Sequence, residues 1–294
     1  MSAFRVRGHS ENFPVGSILL PRTMRPHVAA VYAFARTADD FADEGSLTAD
    51  ERCRLLDGWR RRLHHAAQAA DPGPPPGPGE PPDAIRLFLA LGSTIRERNL
   101  PIELFEDLLS AFRQDVTVAR YATWTDLFDY CRRSANPVGR IVLRIAGLRD
   151  DRLDGWSDAI CTALQLTNFW QDLSIDAGRG RLYVPLEEIR AHDAEAGDLT
   201  AGGPTPGWTR VLDASVRRTR ALFLDGRPLC EAVAGRLRYE LRATWLGGIR
   251  ILDRLEQAGF DVAARRPVLR AVDLPWFVYR MASWSLAGGP AGRA

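Results

Sequence analysis

The sequence predicts an all-α fold. Apolar residues recur at helical spacing in almost every window, strand-like alternation is scarce, and two Pro- and Gly-rich stretches stand as loops between amphipathic segments. The clearest helix covers Arg25–Glu44, where Val28, Val31, Tyr32, Phe34, Ala35, Ala38 and Phe41 follow that spacing. Further helices are expected over about residues 48–70, 83–98, 101–115, 124–146, 153–176, 208–224, 227–257 and 267–285. Residues 71–82 (DPGPPPGPGEPP) lack too many donors and fix φ too often for a helix, and residues 197–207 (GDLTAGGPTPG) have the same character. Both are expected as surface loops of one helical bundle spanning residues 1–294, without internal repeats.

Composition narrows the chemistry. With 294 residues, 46% hydrophobic and 26% charged, the chain can bury a large core. Its net charge of +2 provides no broad positive field for a nucleic-acid backbone. There is no lysine, which excludes a Schiff base, a lysine general base and a Walker A loop. Every fixed side-chain cation is a guanidinium, whose planar fork suits phosphate, although a coding preference for arginine gives the same composition. Cys53, Cys131, Cys161 and Cys230 stand far apart in apolar stretches and read as reduced core residues of a cytosolic protein. The histidines show no zinc spacing, so a bound metal should be a hard cation held by oxygen. No leader-like segment opens the chain and no apolar run reaches the roughly 18 residues of a spanning helix, so a cytoplasmic location is expected.

Two carboxylate stripes carry the chemistry. In RTADDFADE (Arg36–Glu44), Asp39 and Asp43 are four apart and Asp40 and Asp43 three apart, so a helix brings all three close together. A solvated acidic face accounts for that stripe alone equally well. The second, in QLTNFWQDLSID (Gln165–Asp176), sets Asn168, Asp172 and Asp176 at every fourth position beside Leu164, Leu166, Phe169, Trp170, Leu173 and Ile175. Carboxylates among so many apolar residues need compensation. A divalent cation is the natural one, because carboxylate and amide oxygens suit Mg2+, which bridges readily to phosphates. Facing stripes would thus hold Mg2+ against a diphosphate, with Arg36, Arg179, Arg181 and Tyr183 within reach of the same anion.

Between the stripes, YCRRSANPVG offers Tyr130, Ala135, Val138 and Gly139, with Pro137 as a kink. A kinked helix of small residues can admit a hydrocarbon or merely adjust helix packing. The segment LPWFVYRMASWSLAG is a core helix by default and, as a lesser reading, a foot on a membrane surface.

These motifs together resemble the squalene/phytoene synthase family over nearly the whole chain. The first family motif corresponds to Asp39, Asp40 and Asp43 in YAFARTADDFADE. The second corresponds to Asn168, Asp172 and Asp176, followed by GRLYVP with Arg181 and Tyr183. HSENFPVGSILLP is similar to the family's entry segment and maps substrate contacts onto Ser10 and Phe13. The resemblance implies an isoprenoid-synthase-type bundle around a central apolar cavity, a prenyl diphosphate substrate and Mg2+ held by Asp39, Asp40, Asp43, Asn168, Asp172 and Asp176.

ENFPV, TADDFADEG, NFWQD and the Gly247–Gly248 pair look most like the bacterial members of hopanoid biosynthesis. Those ionise presqualene diphosphate, rearrange a cyclopropylcarbinyl cation and quench it with water. Position 171 is usually arginine in members that condense two prenyl diphosphates, and Gln171 here removes a charge that a single-diphosphate substrate would not need. An arginine elsewhere could restore that balance. The implied catalytic residues are Asp39, Asp43, Asp172, Asp176 and Tyr183. Substrate contacts fall to Ser10, Phe13, Arg36, Tyr130, Ala135, Val138, Gly139, Asn168, Phe169, Gln171 and Arg181. Peripheral contact with the inner membrane surface and with other enzymes of the squalene pathway belongs to the same expectation. The alternatives are a synthase joining two prenyl diphosphates head to head and, from another class, a helical binding protein without catalysis.

Overall fold

A computed structural model describes residues 19–43, 45–69, 73–200, 204–262 and 266–284. Its helices are α1 (Arg25–Asp43), α2 (Ala49–Ala69), α3 (Ala84–Arg98), α4 (Ile102–Asp115), α5 (Trp124–Ser134), α6 (Asn136–Ile145) and α7 (Asp151–Gln171), followed by α8 (Leu173–Gly178), α9 (Leu186–Ala191), α10 (Pro206–Gly226), α11 (Leu229–Ala232), α12 (Gly235–Gln257) and α13 (Leu274–Ala282). Among the described residues there is no β-strand, only an isolated bridge between Arg120 and Leu182.

Two helices set the plan. On α1, Val31, Phe34, Ala38 and Phe41 are buried, and the polar residues at positions 36, 39, 40 and 43 are left for another face. Phe34 stacks with Trp59 of α2 at 6.1 Å between ring centroids and meets Phe88 of α3 and Phe105 of α4 edge-on at 6.1 and 5.6 Å. Such a fully buried ring stabilises by several kcal/mol; truncation to alanine typically costs about 3–5 kcal/mol. The second organising helix, α7, packs against α5, α6, α10 and α12. A helix that is apolar on most sides has to be central, and Ile160, Ala163, Leu166, Phe169 and Trp170 are accordingly buried. Its polar groups are satisfied internally, as where Trp170 Nε1 donates to Thr219 Oγ1 at 2.8 Å.

Several expected helices divide. The segment 124–146 breaks at Ala135, because Pro137 restricts the residue before it and starts a new helix more readily than it continues an old one. The segment 153–176 is interrupted at Asp172 alone (φ −102°, ψ 8°). Hydrogen bonds from Asp172 N to Asn168 O and from Asp176 N to Asp172 O, both 2.9 Å, keep the polar residues in line. Segment 227–257 breaks between α11 and α12, where Val233 is extended and Gly235 has φ +66°.

One of the two loops also differs from expectation. Residues 197–207 begin within a 3-10 turn, Ala196–Thr200, and end inside α10, whose cap is the Thr205 hydroxyl accepting from Trp208 N at 3.3 Å. The described part of 71–82 is a mostly exposed, non-helical loop that is pinned to α2. Buried Arg62 donates to the carbonyls of Pro74 (2.8 Å) and Pro75 (3.1 Å) and to Glu80 (2.7 Å). All four cysteines are free, with Cys131 and Cys230 buried and Cys53 and Cys161 only partly so.

Candidate active site

The polar face of α1 is the first half of the site. Arg36 reaches one turn forward, with Nη1 2.9 Å from Asp39 Oδ2 and Nη2 2.6 Å from Asp40 Oδ1. Asp43 is clamped from outside the helix: Arg181 Nη2 donates to Oδ1 at 2.7 Å and Nη1 to Oδ2 at 3.2 Å. Arg181 Nη2 also donates to the main-chain carbonyl of Asp115 at 3.2 Å. The clamp is placed by short strand-like pairing, in which Leu182 N donates to Ala119 O (2.8 Å) and Leu186 N to Tyr121 O (3.0 Å).

The second half lies where α7 passes into α8. Arg266 grips Asp172, Nε donating to Oδ1 and Nη2 to Oδ2 at 3.0 Å. Asp176 is different. Burial, followed by the nearby Asp172 carboxylate, pushes its carboxyl up to about 6, with Arg179 and Arg181 pulling down and Asp43 adding to the rise. Asp43, Asp172 and Asp176 therefore share one electrostatic neighbourhood although they come from helices far apart in sequence.

In this structure Asp39, Asp40, Asp43 and Asp172 are all compensated by guanidinium groups. Among the described residues no group of three or more His, Cys, Asp or Glu side chains is gathered closely enough to hold a metal ion as it stands. The donor chemistry nonetheless fits Mg2+: carboxylates and an amide are hard oxygen ligands. Asp176, raised by burial and then by the Asp172 carboxylate, is a group that a bound cation would draw back to its ionised form.

An aromatic wall adjoins the carboxylates. Phe169 and Tyr183 stack face to face with centroids 3.7 Å apart and planes 5° from parallel. Tyr130 lies 6.2 Å from each and 5.5 Å from Tyr121. Burial pushes the phenols of Tyr121, Tyr130 and Tyr183 above their ordinary range, so each is a neutral O–H.

The structure thus brings Arg36, Asp39, Asp40 and Asp43 together with Arg181, and places Asp172 and Asp176 beside Asn168 in one line, next to Tyr130, Phe169 and Tyr183. Ser10 and Phe13 lie outside the described residues. Ala135 is buried at the end of α5, and Val138 packs against the core.

Two of the expected substrate contacts also carry structural contacts. A Cβ on Gly139 would stand 2.2 Å from Ser157 Oγ and 2.6 Å from Cys161 Sγ, so its missing side chain seats α6 on α7, the packing role the segment also allowed. Gln171 is buried and its amide donates to the carbonyl of Pro267, anchoring the chain that carries Arg266. The positive charge absent at 171 is thus supplied to Asp172 by Arg266.

Sequence reasoning missed Arg266, Tyr121 and Asp115. Arg266 has no local signal in so arginine-rich a chain. Asp115 has a faint one, since a carboxylate in the last turn of a helix opposes the helix dipole.

A model of the family described as Squalene/phytoene synthase matches residues 6–273. Over 227 residues the chain is 37% identical to the hydroxysqualene synthase of Rhodopseudomonas palustris, a match covering 76% of this chain and 71% of that protein. The phytoene synthase of Thermus thermophilus is 32% identical over 268 residues, covering 90% and 86% respectively. Among solved structures, squalene synthase HpnC from Alicyclobacillus acidocaldarius matches with a TM-score of 0.75 at 40% identity, covering 86% of this chain and 90% of that one.

Proposed function

The chain belongs to the squalene/phytoene synthase family, and from that premise we propose that it converts presqualene diphosphate and water to hydroxysqualene and diphosphate. The observation that carries this reading is the pair of carboxylate stripes, each gripped by arginine, beside an aromatic wall. The relative named hydroxysqualene synthase, at 37% identity, favours it over the phytoene synthase at 32%.

The residues divide the work as follows. Asp39, Asp40, Asp43, Asn168, Asp172 and Asp176 would hold Mg2+, which when bound supplies the charge neutralisation that lets a diphosphate leave. Arg36, Arg181 and Arg266 would turn from carboxylate to phosphate oxygens, which present the same bidentate target. Tyr183 would assist the leaving group from the end of the clamp. As the C–O bond breaks, Phe169, Tyr183 and Tyr130 would offer ring faces to the cation, worth about 0.5–2 kcal/mol each, and keep bulk water away until rearrangement is complete. Water then adds, and its proton passes to the released diphosphate.

The second reading, head-to-head condensation of two prenyl diphosphates, is favoured by one observation: Arg266 restores the charge missing at Gln171. Incubation with presqualene diphosphate and Mg2+ but no NADPH, followed by product mass, separates the two. Hydroxysqualene is expected, and Asp39→Asn or Asp172→Asn should abolish its formation without changing the helical CD signal; retained Mg2+-dependent turnover in either variant overturns the assignment.

A cytoplasmic enzyme touching the inner membrane surface through α13 completes the proposal. No described helix is long and apolar enough to cross a membrane, while Val272, Leu274, Val278 and Tyr279 are 75%, 64%, 62% and 68% exposed.

A further inference from the structure

Asp115 is an ionisable group in the heart of the site with no part in the reaction proposed above. It ends α4, and its carboxyl points into a crowded place. Oδ2 accepts the Tyr130 hydroxyl at 2.9 Å, and Oδ1 is buried with no hydrogen-bond partner. Its main-chain carbonyl accepts from Arg181, the residue that clamps Asp43. One residue therefore touches both the carboxylate clamp and the aromatic wall.

The surroundings can be named from every side. Asp39 and Asp43 face it from α1, Arg181 and Tyr183 from the chain after α8, Tyr121 from the α4–α5 loop and Tyr130 from α5. Burial is the main influence and pushes the carboxyl up to about 7. The Tyr130 hydrogen bond and Arg181 oppose that rise, and Asp43 and Asp39 add to it. Tyr130 is fully buried among rings and keeps its phenolic proton.

A phenol has one proton to donate, and an ionised carboxylate can only accept. When Asp115 is ionised, the Tyr130 proton is committed to its Oδ2, as the 2.9 Å hydrogen bond shows, and the phenol oxygen has only lone pairs left for other neighbours. Next to a developing carbocation this polarity matters. A lone pair stabilises the cation and can hold one O–H of the incoming water, whereas an O–H aimed at the same place repels the cation.

We infer that Asp115 is a positioning residue for the proposed reaction, fixing the Tyr130 hydroxyl so that it offers the reacting carbons an acceptor and not a donor. This rests on the carbocation chemistry proposed above. Asp115 does not touch substrate; it acts through Tyr130.

The test uses the full chain with Mg2+ and presqualene diphosphate, comparing Asp115→Asn, Asp115→Leu, Tyr130→Phe and the Asp115→Leu/Tyr130→Phe double variant. Asp115→Leu should lower kcat by about 100-fold with KM nearly unchanged, a loss typical of removing one preorganised group. Asp115→Asn, which keeps an acceptor oxygen and nearly the same volume, should recover about tenfold of that loss. The fraction of alcohol among the products should fall in favour of alkenes formed by proton loss. The double variant should be no worse than Tyr130→Phe alone, because the two residues act as one unit.

Additive losses, or an unchanged product ratio, overturn the inference. A readout independent of turnover is the Asp115 carboxyl titration followed by 13C NMR. Tyr130→Phe removes a hydrogen bond to the charged form and must raise the midpoint; an unmoved midpoint overturns the pairing. Failure of the reaction itself shows separately, as no turnover of presqualene diphosphate by the unaltered chain. If farnesyl diphosphate is condensed instead, the same variants are read on that reaction, and an unchanged product ratio there also overturns the inference.

Discussion

The two halves of the site are built in opposite ways. On α1 the partner of Asp39 and Asp40 is Arg36, three and four residues away on the same helix face. At the α7–α8 junction the partner of Asp172 is Arg266, 94 residues along the chain. The Asp39 and Asp40 pairs form with their helix, and only Asp43 of the first half waits for a distant partner, Arg181. The second half exists only once the segment 266–273 has docked, so it depends on tertiary structure.

What docks that segment is Asp273. Its buried carboxylate accepts from Arg250 Nε at 2.9 Å, from Arg254 Nη2 at 2.8 Å and from the Arg270 N–H at 2.8 Å, while Arg254 also donates to the Val268 carbonyl. Removing one partner of a buried ion-pair network leaves charges uncompensated, at a cost of about 3–5 kcal/mol. Asp273→Ala should therefore lower the melting temperature strongly and abolish turnover through the second half alone. Hydrogen exchange is the check: protection should fall in 266–282 and persist in α1. Equal loss in α1 would break the contrast between the halves.

Asp115 lies at the seam between the halves and gives the next largest effect. Its folded-state carboxyl is raised from the ordinary value near 4 to about 7, so its contribution to stability is complete below pH 4 and is lost as pH rises toward and through 7. Asp115→Asn removes that titration. Without Mg2+ or substrate, the variant should gain on the unaltered protein between pH 4 and pH 8, by roughly 1–3 kcal/mol at the upper end after the weakened Tyr130 hydrogen bond is subtracted. Melting temperatures across that range measure the difference, and a constant difference would mean that Asp115 titrates normally.

The same contrast explains what could be read from the sequence. The α1 stripe was legible because its geometry needs nothing beyond helical periodicity. The second stripe was legible as a line of residues, but neither the break at Asp172 nor the guanidinium of Arg266 leaves a local trace. Gly139 leaves two readings open for a related reason: a glycine announces that a Cβ is absent, not which neighbour fills the place, and here Ser157 and Cys161 fill it. Gln171 announced a lost charge, whereas folding brings one back from another segment. Asp115 needed the fold because its meaning lies in touching Tyr130 from α5 and Arg181 from beyond α8.

Exchange of the two arginines tests the contrast at the level of activity. Arg36→Gln and Arg266→Gln each remove one fork from the proposed diphosphate site, and each should lower kcat/KM by about 10–100-fold, or roughly 1.4–2.7 kcal/mol. They should differ in structure. Arg36→Gln leaves α1 in place, whereas Arg266→Gln also frees the segment from its contact with Asp172 and should raise protease sensitivity near residue 266. Identical proteolysis patterns would show that Gln171 and Asp273 suffice to hold that segment.

The smallest effect lies furthest from the chemistry. Beyond Asp273 the docked segment continues into α13, whose exposed Leu274, Val278 and Tyr279 flank the half-buried Trp276 and Phe277. Arg250 and Arg280 lie over the Trp276 ring at 5.2 and 5.8 Å. An apolar helix face with aromatic and arginine neighbours suits the boundary of a lipid surface, and a diphosphate-headed hydrocarbon would be collected there. Leu274→Glu and Val278→Glu touch no residue of the site. Each should reduce sedimentation with anionic lipid vesicles by about fivefold, or roughly 1 kcal/mol, and leave kcat on detergent-dispersed substrate unchanged. Vesicle binding that survives both glutamates would remove α13 as the contact and confine the long-range half of the site to 266–273.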